Sequence, residues 1–158
     1  MNKAFLKTPL GSAILEGDAS GISKFILTDE EGSSTPTPAP EFTEAIEQLE
    51  EYFAGQRKEF NLKLNPQGTE FQKKVWQALL NIPYGRTASY MELSKEIGDP
   101  LAIRAVAAAN GKNPLWILIP CHRVIGSDGS LTGYAGGLWR KKWLLEHEQQ
   151  EKQQSLFP

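Results

Sequence analysis

SYMELSKEIGDPLAIRAVAAANG, residues 89–111, decides how the second half of this chain folds. Ser89 and Glu92 stand in the spacing of a capping box, in which a hydroxyl and a carboxylate satisfy the free N–H groups at a helix start. A short helix therefore begins there, runs to Ile97 and stops at Gly98. Asp99-Pro100 supplies an N-cap and an N1 proline, so the next helix is expected from Pro100 to about Ala109, ending at Asn110-Gly111. Two short helices joined through Gly98-Asp99 make a candidate helix-turn-helix. The second is so rich in alanine that its outer face suits close approach to a DNA backbone, and Arg104 is its one charge. The competing reading is an ordinary helical hairpin in a core.

Upstream, Thr69-Glu-Phe-Gln72 is another capping box, and Phe71, Val75, Leu79 and Ile82 recur at helical spacing before Pro83-Tyr-Gly85 ends the helix. Downstream, Leu115 to Ile119 reads as an apolar strand broken by Pro120. Cys121-His-Arg-Val-Ile125 follows, then the turn-rich loops Gly126-Ser-Asp-Gly129 and Gly133-Tyr-Ala-Gly-Gly137. A last helix, from about Leu138 to Glu148, is expected to turn Trp139, Trp143 and either Leu144 or His147 inward, with Arg140-Lys-Lys142 on its basic side.

The first third reads differently. Ala4 to Lys7, Ser12 to Glu16 and Ile22 to Thr28 are strands separated by hairpin-type turn clusters. Residues 31–40 hold three prolines and no large apolar side chain, the composition of an exposed connection. From Glu41 to Ala54, Phe42, Ile46, Leu49, Tyr52 and Phe53 recur at helical spacing. Phe60, Leu62 and Leu64 then alternate like a strand. A small αβ unit closes near residue 66, with a boundary at Asn65 to Gly68, so the expected divisions are 1–66, 67–150 and a flexible tail, 151–158.

The whole chain, 158 residues with a net charge of −2, suits one ordinary domain or two small ones. The charge is uneven. Residues 1–67 carry six Lys and Arg against eleven Asp and Glu, whereas residues 68–148 carry ten against seven. No apolar run approaches the roughly 20 residues that span a bilayer, and the first residues lack a secretory apolar stretch, so a soluble, cytoplasmic protein is expected. One Cys and two His exclude an internal disulfide and a Cys-rich zinc site. Neither a metal nor a cofactor is expected.

The lone Cys121 then needs an explanation. A thiol reacts as thiolate, and a neighbouring imidazole such as His122 raises the reactive fraction near neutrality. A carboxylate behind the histidine would orient the ring, and Glu146 and Glu148 are both available. The plain alternative is a buried small apolar residue, the commonest fate of a single intracellular Cys.

Asn113-Pro114, Ile119-Pro-Cys-His-Arg-Val124 and Gly133-Tyr-Ala-Gly-Gly-Leu138 closely resemble the O6-alkylguanine-DNA alkyltransferases, the methylated-DNA–protein-cysteine methyltransferases. The match extends over residues 69–148; residues 1–66 resemble the family's ribonuclease-H-like domain in layout only. The resemblance implies an α+β chain: a small ribonuclease-H-like αβ domain, then a winged helix-turn-helix-like, mainly helical domain. It implies irreversible, stoichiometric transfer of an alkyl group from guanine O6, and from thymine O4, in DNA to Cys121. His122 becomes the partner of the thiolate through a water, and Glu148 the carboxylate behind it, because the family pattern Leu-Leu-x-His-Glu falls on Leu144 to Glu148.

A target inside a stacked duplex must be extruded. The resemblance makes Arg104 the residue that fills the vacated space from the minor groove, Tyr90 the tyrosine that assists flipping, and Asn113 a hinge to the reactive strand. Val124 and Tyr134 correspond to guanine-pocket positions, as does Ala135, where some members have Ser. Trp116 stands where a small residue or Pro occurs; it either narrows the pocket against bulky adducts or packs against the N-terminal unit. A monomer acting on double-stranded DNA is implied, with no membrane role. The ending Gln153-Gln-Ser-Leu-Phe157-Pro158 resembles the short tails by which bacterial repair proteins engage the sliding clamp, with Gln153, Leu156 and Phe157 as contacts. A non-catalytic relative would lack Cys121, and a regulator using the helix-turn-helix alone would leave Cys, His and Glu unexplained. A thiol hydrolase would need an oxyanion-stabilising loop that the sequence does not show.

Overall fold

The computed structural model describes the backbone of residues 1–156 and side chains through Gln149, and the chain divides into two compact units. The first comprises Met1–Gln67 and Pro114–Leu118; the second comprises Gly68–Asn113 and Ile119 onward. Residues 114–118, counted in sequence with the second domain, thus group with the first unit.

In the first unit β1 (Asn2–Thr8), β2 (Gly11–Asp18) and β3 (Gly21–Thr28) form an antiparallel meander in that order, at the places the turn clusters indicate. Alternation puts Ala4 and Leu6, Ala13 and Leu15, and Phe25 and Leu27 on the buried face. A 3-10 turn, Pro40–Phe42, leads into α1 (Thr43–Phe53), which buries Ala45, Leu49 and Tyr52. Both edges of the sheet are covered. On β1, Phe5 O accepts from Thr35 N (2.9 Å), while the N–H groups of Phe5 and Lys7 donate to the hydroxyls of Thr35 and Ser34. The proline-containing connection therefore lies along a strand edge that would otherwise pair with another chain.

On β3, Ile22 exchanges hydrogen bonds with Lys63 and Asn65, and Phe25 with Pro114 and Trp116. These two contacts replace the expected strands at 60–64 and 115–119, which are reduced to isolated parallel bridges at Leu64 and Leu115. Neither segment can extend its ladder: Pro66 closes the first, and Ile117 interrupts the second at φ 72°. That left-handed conformation is costly for a β-branched side chain, on the order of 1–3 kcal/mol. Burial of Ile117 among the first unit's core residues offsets it.

In the second unit α2 (Glu70–Leu79) begins at the expected capping box, Gln72 N donating to the Thr69 hydroxyl and Thr69 N to the Gln72 side-chain oxygen. The inward stripe differs from the expected one. Phe71 is 37% exposed, and Trp76 is buried instead, its Nε1–H donating to Ala109 O at 2.8 Å. An indole is the better core choice here because it satisfies a carbonyl of a helix's last turn. β4 (Ala88–Ser89) enters α3 (Tyr90–Ile97) through the second capping box.

Gly98 ends α3 at φ 94°, with Gly98 N and Asp99 N donating back to Lys95 O and Ser94 O. This is a Schellman stop, which favours glycine. Gly98→Ala is expected to cost about 1 kcal/mol in urea unfolding. α4 (Ile103–Gly111) starts three residues later than the Asp99-Pro100 pair suggests. The Asp99 carboxylate takes the N–H of Leu101 and its carbonyl that of Ala102, so the aspartate caps a turn and not the helix.

A 3-10 turn, Cys121–Arg123, passes into β5 (Val124–Ile125), which pairs in parallel with β4. The last helix, α5 (Leu138–Leu156), runs past the expected end at Glu148 and into the proposed tail. The clamp motif lies outside the described residues: the side chains of Gln153 and Leu156, and Phe157 altogether, are beyond them.

Candidate active site

The Cys121 turn is placed by contacts on both flanks. Parallel pairing of Ala88 with Val124 and Ser89 with Ile125 sets the residues after Cys121 beside the start of α3, where Tyr90 is the first helical residue. On the other flank the end of α4 holds the backbone. Asn113 Nδ2 donates to Ile119 O at 2.8 Å and Asn110 Nδ2 to Cys121 O at 3.5 Å. The Asn113 amide also hydrogen-bonds the Cys121 thiol.

Cys121 is buried. Burial pushes its thiol from 9.0 up to about 11, against the lowering effects of the Asn113 hydrogen bond and the Lys141 charge. At neutral pH the group is therefore a thiol, and it needs a base to react.

His122 is the available base. Its ring is fully buried, and Nε2 lies 2.7 Å from Glu148 Oε2. A carboxylate there fixes the proton on Nε2 and leaves Nδ1 as the acceptor; that nitrogen is buried and has no hydrogen-bond partner in the structure. Burial lowers the imidazole pKa more than Glu148 raises it, so the ring is neutral and able to accept a proton.

Of the two carboxylates that spacing left open, the structure brings Glu148 to His122. Glu146 faces solvent beside Lys142. Burial alone would raise the Glu148 pKa, but His122 and Arg123 together hold it well below the usual carboxylate range.

Two residues of this cluster escape the sequence reading. Arg123 is buried, and its guanidinium grips Glu148 by Nε to Oε1 (2.8 Å) and Nη2 to Oε2 (3.2 Å) while Nη1 donates to Ile82 O (2.7 Å). That fork holds the carboxylate in the orientation the imidazole requires. Lys141 was expected on a basic outer face; its side chain is fully buried instead, and Nζ donates to the carbonyls of Val124 (2.6 Å), Thr132 (2.7 Å) and Gly133 (3.3 Å). It thereby pins the loop that carries Tyr134 and Ala135 to β5. Burial lowers its pKa to about 8, partly opposed by Cys121, so it is cationic at neutral pH. Arg140 is buried as well and donates to Gly136 O, while Trp139, expected inward, is 53% exposed with the Arg140 guanidinium over its ring. Three carbonyls give Lys141 a complete set of partners, which an indole at that position could not use.

The remaining expected residues are placed as follows. Arg104 projects from the exposed face of α4 beside Ala105 and Ala108, opposite the buried Val106, Ala109 and Asn110. Tyr90 is half-buried, its hydroxyl 3.4 Å from Thr132 O. Tyr134 is half-buried, and its phenol is pushed well above its ordinary pKa by burial and then by Cys121. Val124 is fully buried, and Ala135 is exposed in the loop. Trp116 belongs to the first unit, where it is buried and its backbone N–H donates to Phe25 O. Among the described residues no group of three or more His, Cys, Asp or Glu could hold a metal ion, and no helix is long and apolar enough to cross a membrane.

Two family models match the chain in succession. Residues 70–150 match the 6-O-methylguanine DNA methyltransferase DNA-binding domain, and residues 1–66 match the ribonuclease-like domain of the same proteins. The methylated-DNA–protein-cysteine methyltransferase of Methanosarcina acetivorans is 49% identical over 154 residues, covering 94% of this chain and 98% of the relative. That of Mycobacterium leprae is 47% identical, covering 96% and 94%. The crystal structure of Mycobacterium tuberculosis O6-methylguanine methyltransferase superposes with a TM-score of 0.85 at 45% identity, covering 94% of this chain and 93% of that one. A DNA complex of the protein from that organism gives 0.84 at 47%, covering 92% and 91%. With both domains matched in order and nearly half the residues identical across full-length relatives, the chain belongs to the 6-O-methylguanine DNA methyltransferase family.

Proposed function

We propose that this chain repairs O6-alkylguanine in DNA by moving the alkyl group onto Cys121 in one irreversible displacement. The observation that carries the reading is the buried Cys121-His122 pair with Glu148 locked behind the imidazole, in a chain matched along its length to methyltransferases of this kind. Cys121 Sγ attacks the carbon on guanine O6; the S–C bond forms as the C–O bond breaks, and guanine leaves with the electron pair. The thiol proton passes through a water to His122 Nδ1, and Glu148 stabilises the resulting imidazolium. Guanine regains a proton from the site. The S–C bond of the resulting thioether is stable to water and to thiols, so each molecule acts once.

Access to the lesion requires extrusion of the nucleotide, and α4 carries the residues suited to it. The small side chains of Ala105 and Ala108 allow close approach to the minor groove, and Arg104 enters the stack in place of the flipped base. Tyr90 assists flipping, Asn113 carries the hinge, and Val124, Tyr134 and Ala135 form the guanine pocket. The chain works as a monomer on DNA in the cytoplasm and extends the same chemistry to O4-alkylthymine.

Duplex DNA labelled in the O6-methyl group should transfer its label to the protein to one equivalent and then stop; continued turnover would refute the reading. Arg104→Ala should slow repair of duplex at least ~10-fold and leave reaction with free O6-alkylguanine base intact. Equal duplex rates would contradict the role of Arg104.

A further inference from the structure

Asn110 ends the buried face of α4 one turn before Asn113. It is only 5% exposed. Its Nδ2 reaches the carbonyl of Cys121 itself, while its Oδ1 is fully buried without a hydrogen-bond partner. A half-satisfied buried amide is a poor structural choice compared with an apolar side chain of the same shape. His122, which adjoins Cys121 in the chain, presents a second atom of the same kind, Nδ1. Two unpartnered polar atoms thus belong to the residue that grips Cys121 and to the residue that follows it.

We infer that Asn110 is a positioning residue of the transfer, holding the Cys121 carbonyl through Nδ2 and offering Oδ1 to the water that carries the thiol proton to His122. This rests on the function proposed above. A relay water has two hydrogens and must be oriented to use the right one. Donating one hydrogen to Asn110 Oδ1 directs the other at His122 Nδ1 and turns a lone pair toward the Cys121 S–H. Transfer then moves the thiol proton to the water oxygen and a water proton to Nδ1, leaving thiolate and imidazolium with the water regenerated. Asn113 is placed differently: its Nδ2 donates to Ile119 O, and its amide hydrogen-bonds the Cys121 thiol itself. The charged and titratable groups interacting with Cys121 and His122 are Glu148, Arg123, Lys141 and Tyr134.

The test compares wild type, Asn110→Leu and Asn110→Asp in single-turnover transfer from O6-methylguanine duplex across pH, with DNA affinity and thermal unfolding measured alongside. Asn110→Leu should fold and bind DNA as wild type does, lose at least ~10-fold in transfer rate near neutrality, and lose the solvent isotope effect of a relayed proton. Asn110→Asp keeps the shape and an acceptor oxygen but adds a charge that opposes thiolate formation, so the rising limb of its rate profile should move to higher pH. If Asn110→Leu does not fold, the shift in Asn110→Asp decides. Unchanged rates in the first variant, or an unchanged profile in the second, overturn the inference. If wild type itself takes up no methyl group, it is the proposed function that fails.

Discussion

Glu148→Ala is expected to destabilise the protein by about 3–5 kcal/mol and to abolish measurable repair, because it leaves the buried Arg123 without its counter-charge and the His122 ring without its hydrogen-bond partner. The Arg123 fork loses both carboxylate contacts and keeps only Ile82 O; His122 loses the group that fixes its tautomer. Glu148→Gln preserves shape and separates the two effects. It should unfold less readily than the alanine variant but still transfer at least ~10-fold more slowly than wild type, since a neutral amide stabilises imidazolium poorly. Urea unfolding and single-turnover kinetics on both variants check this. The pH dependence has a definite sign. The folded-state pKa of Glu148 lies below its ordinary 4.5, so its contribution is fully present above that value and is lost as pH falls beneath it. Acid unfolding of Glu148→Gln should be flatter than that of wild type.

Cys121→Ser should eliminate transfer altogether while retaining affinity for O6-methylguanine duplex, because a buried serine hydroxyl is far less nucleophilic than a thiolate and occupies nearly the same space. In the wild type, with the thiol raised to about 11, a small soluble alkylating agent should react slowly at neutral pH and faster as pH approaches that value. Under the mechanism proposed above, repair of DNA should already be fast near neutrality, because His122 accepts the thiol proton in the displacement. If the soluble reagent modified Cys121 as readily at pH 7 as at pH 10, the thiol would not need its relay.

The parts of the fold that were legible in the sequence are those written locally. Alternation in β1 to β3, the two capping boxes and the Gly98 stop each depend on residues within a few positions of one another, and each stands where the pattern puts it. The misread elements depend on distant partners. Residues 60–64 and 115–119 have strand-like patterns but meet only single residues of β3. Asp99 prefers its own turn to the helix start. Of the candidate site, Cys121 and His122 stand out in the sequence, whereas spacing alone left Glu146 and Glu148 open, because which of them reaches a histidine 26 residues away is a tertiary fact.

Lys141 was missed because a charge in a basic run reads as surface, and Arg123 because its partner, Glu148, lies 25 residues away. A signal for Lys141 was present: it precedes Leu144 by three residues and Glu148 by seven, so all three share one face of α5, and Leu144 and Glu148 are buried.

The central claim is that Cys121 receives the alkyl group and keeps it. Peptide mapping by mass spectrometry after incubation with O6-methylguanine duplex tests this most directly. The peptide containing Cys121 should gain the mass of a single methylene, in step with restored guanine, and the protein should treat no second lesion. Restored guanine with an unmodified Cys121 peptide, or a methyl group on any other residue, would contradict it.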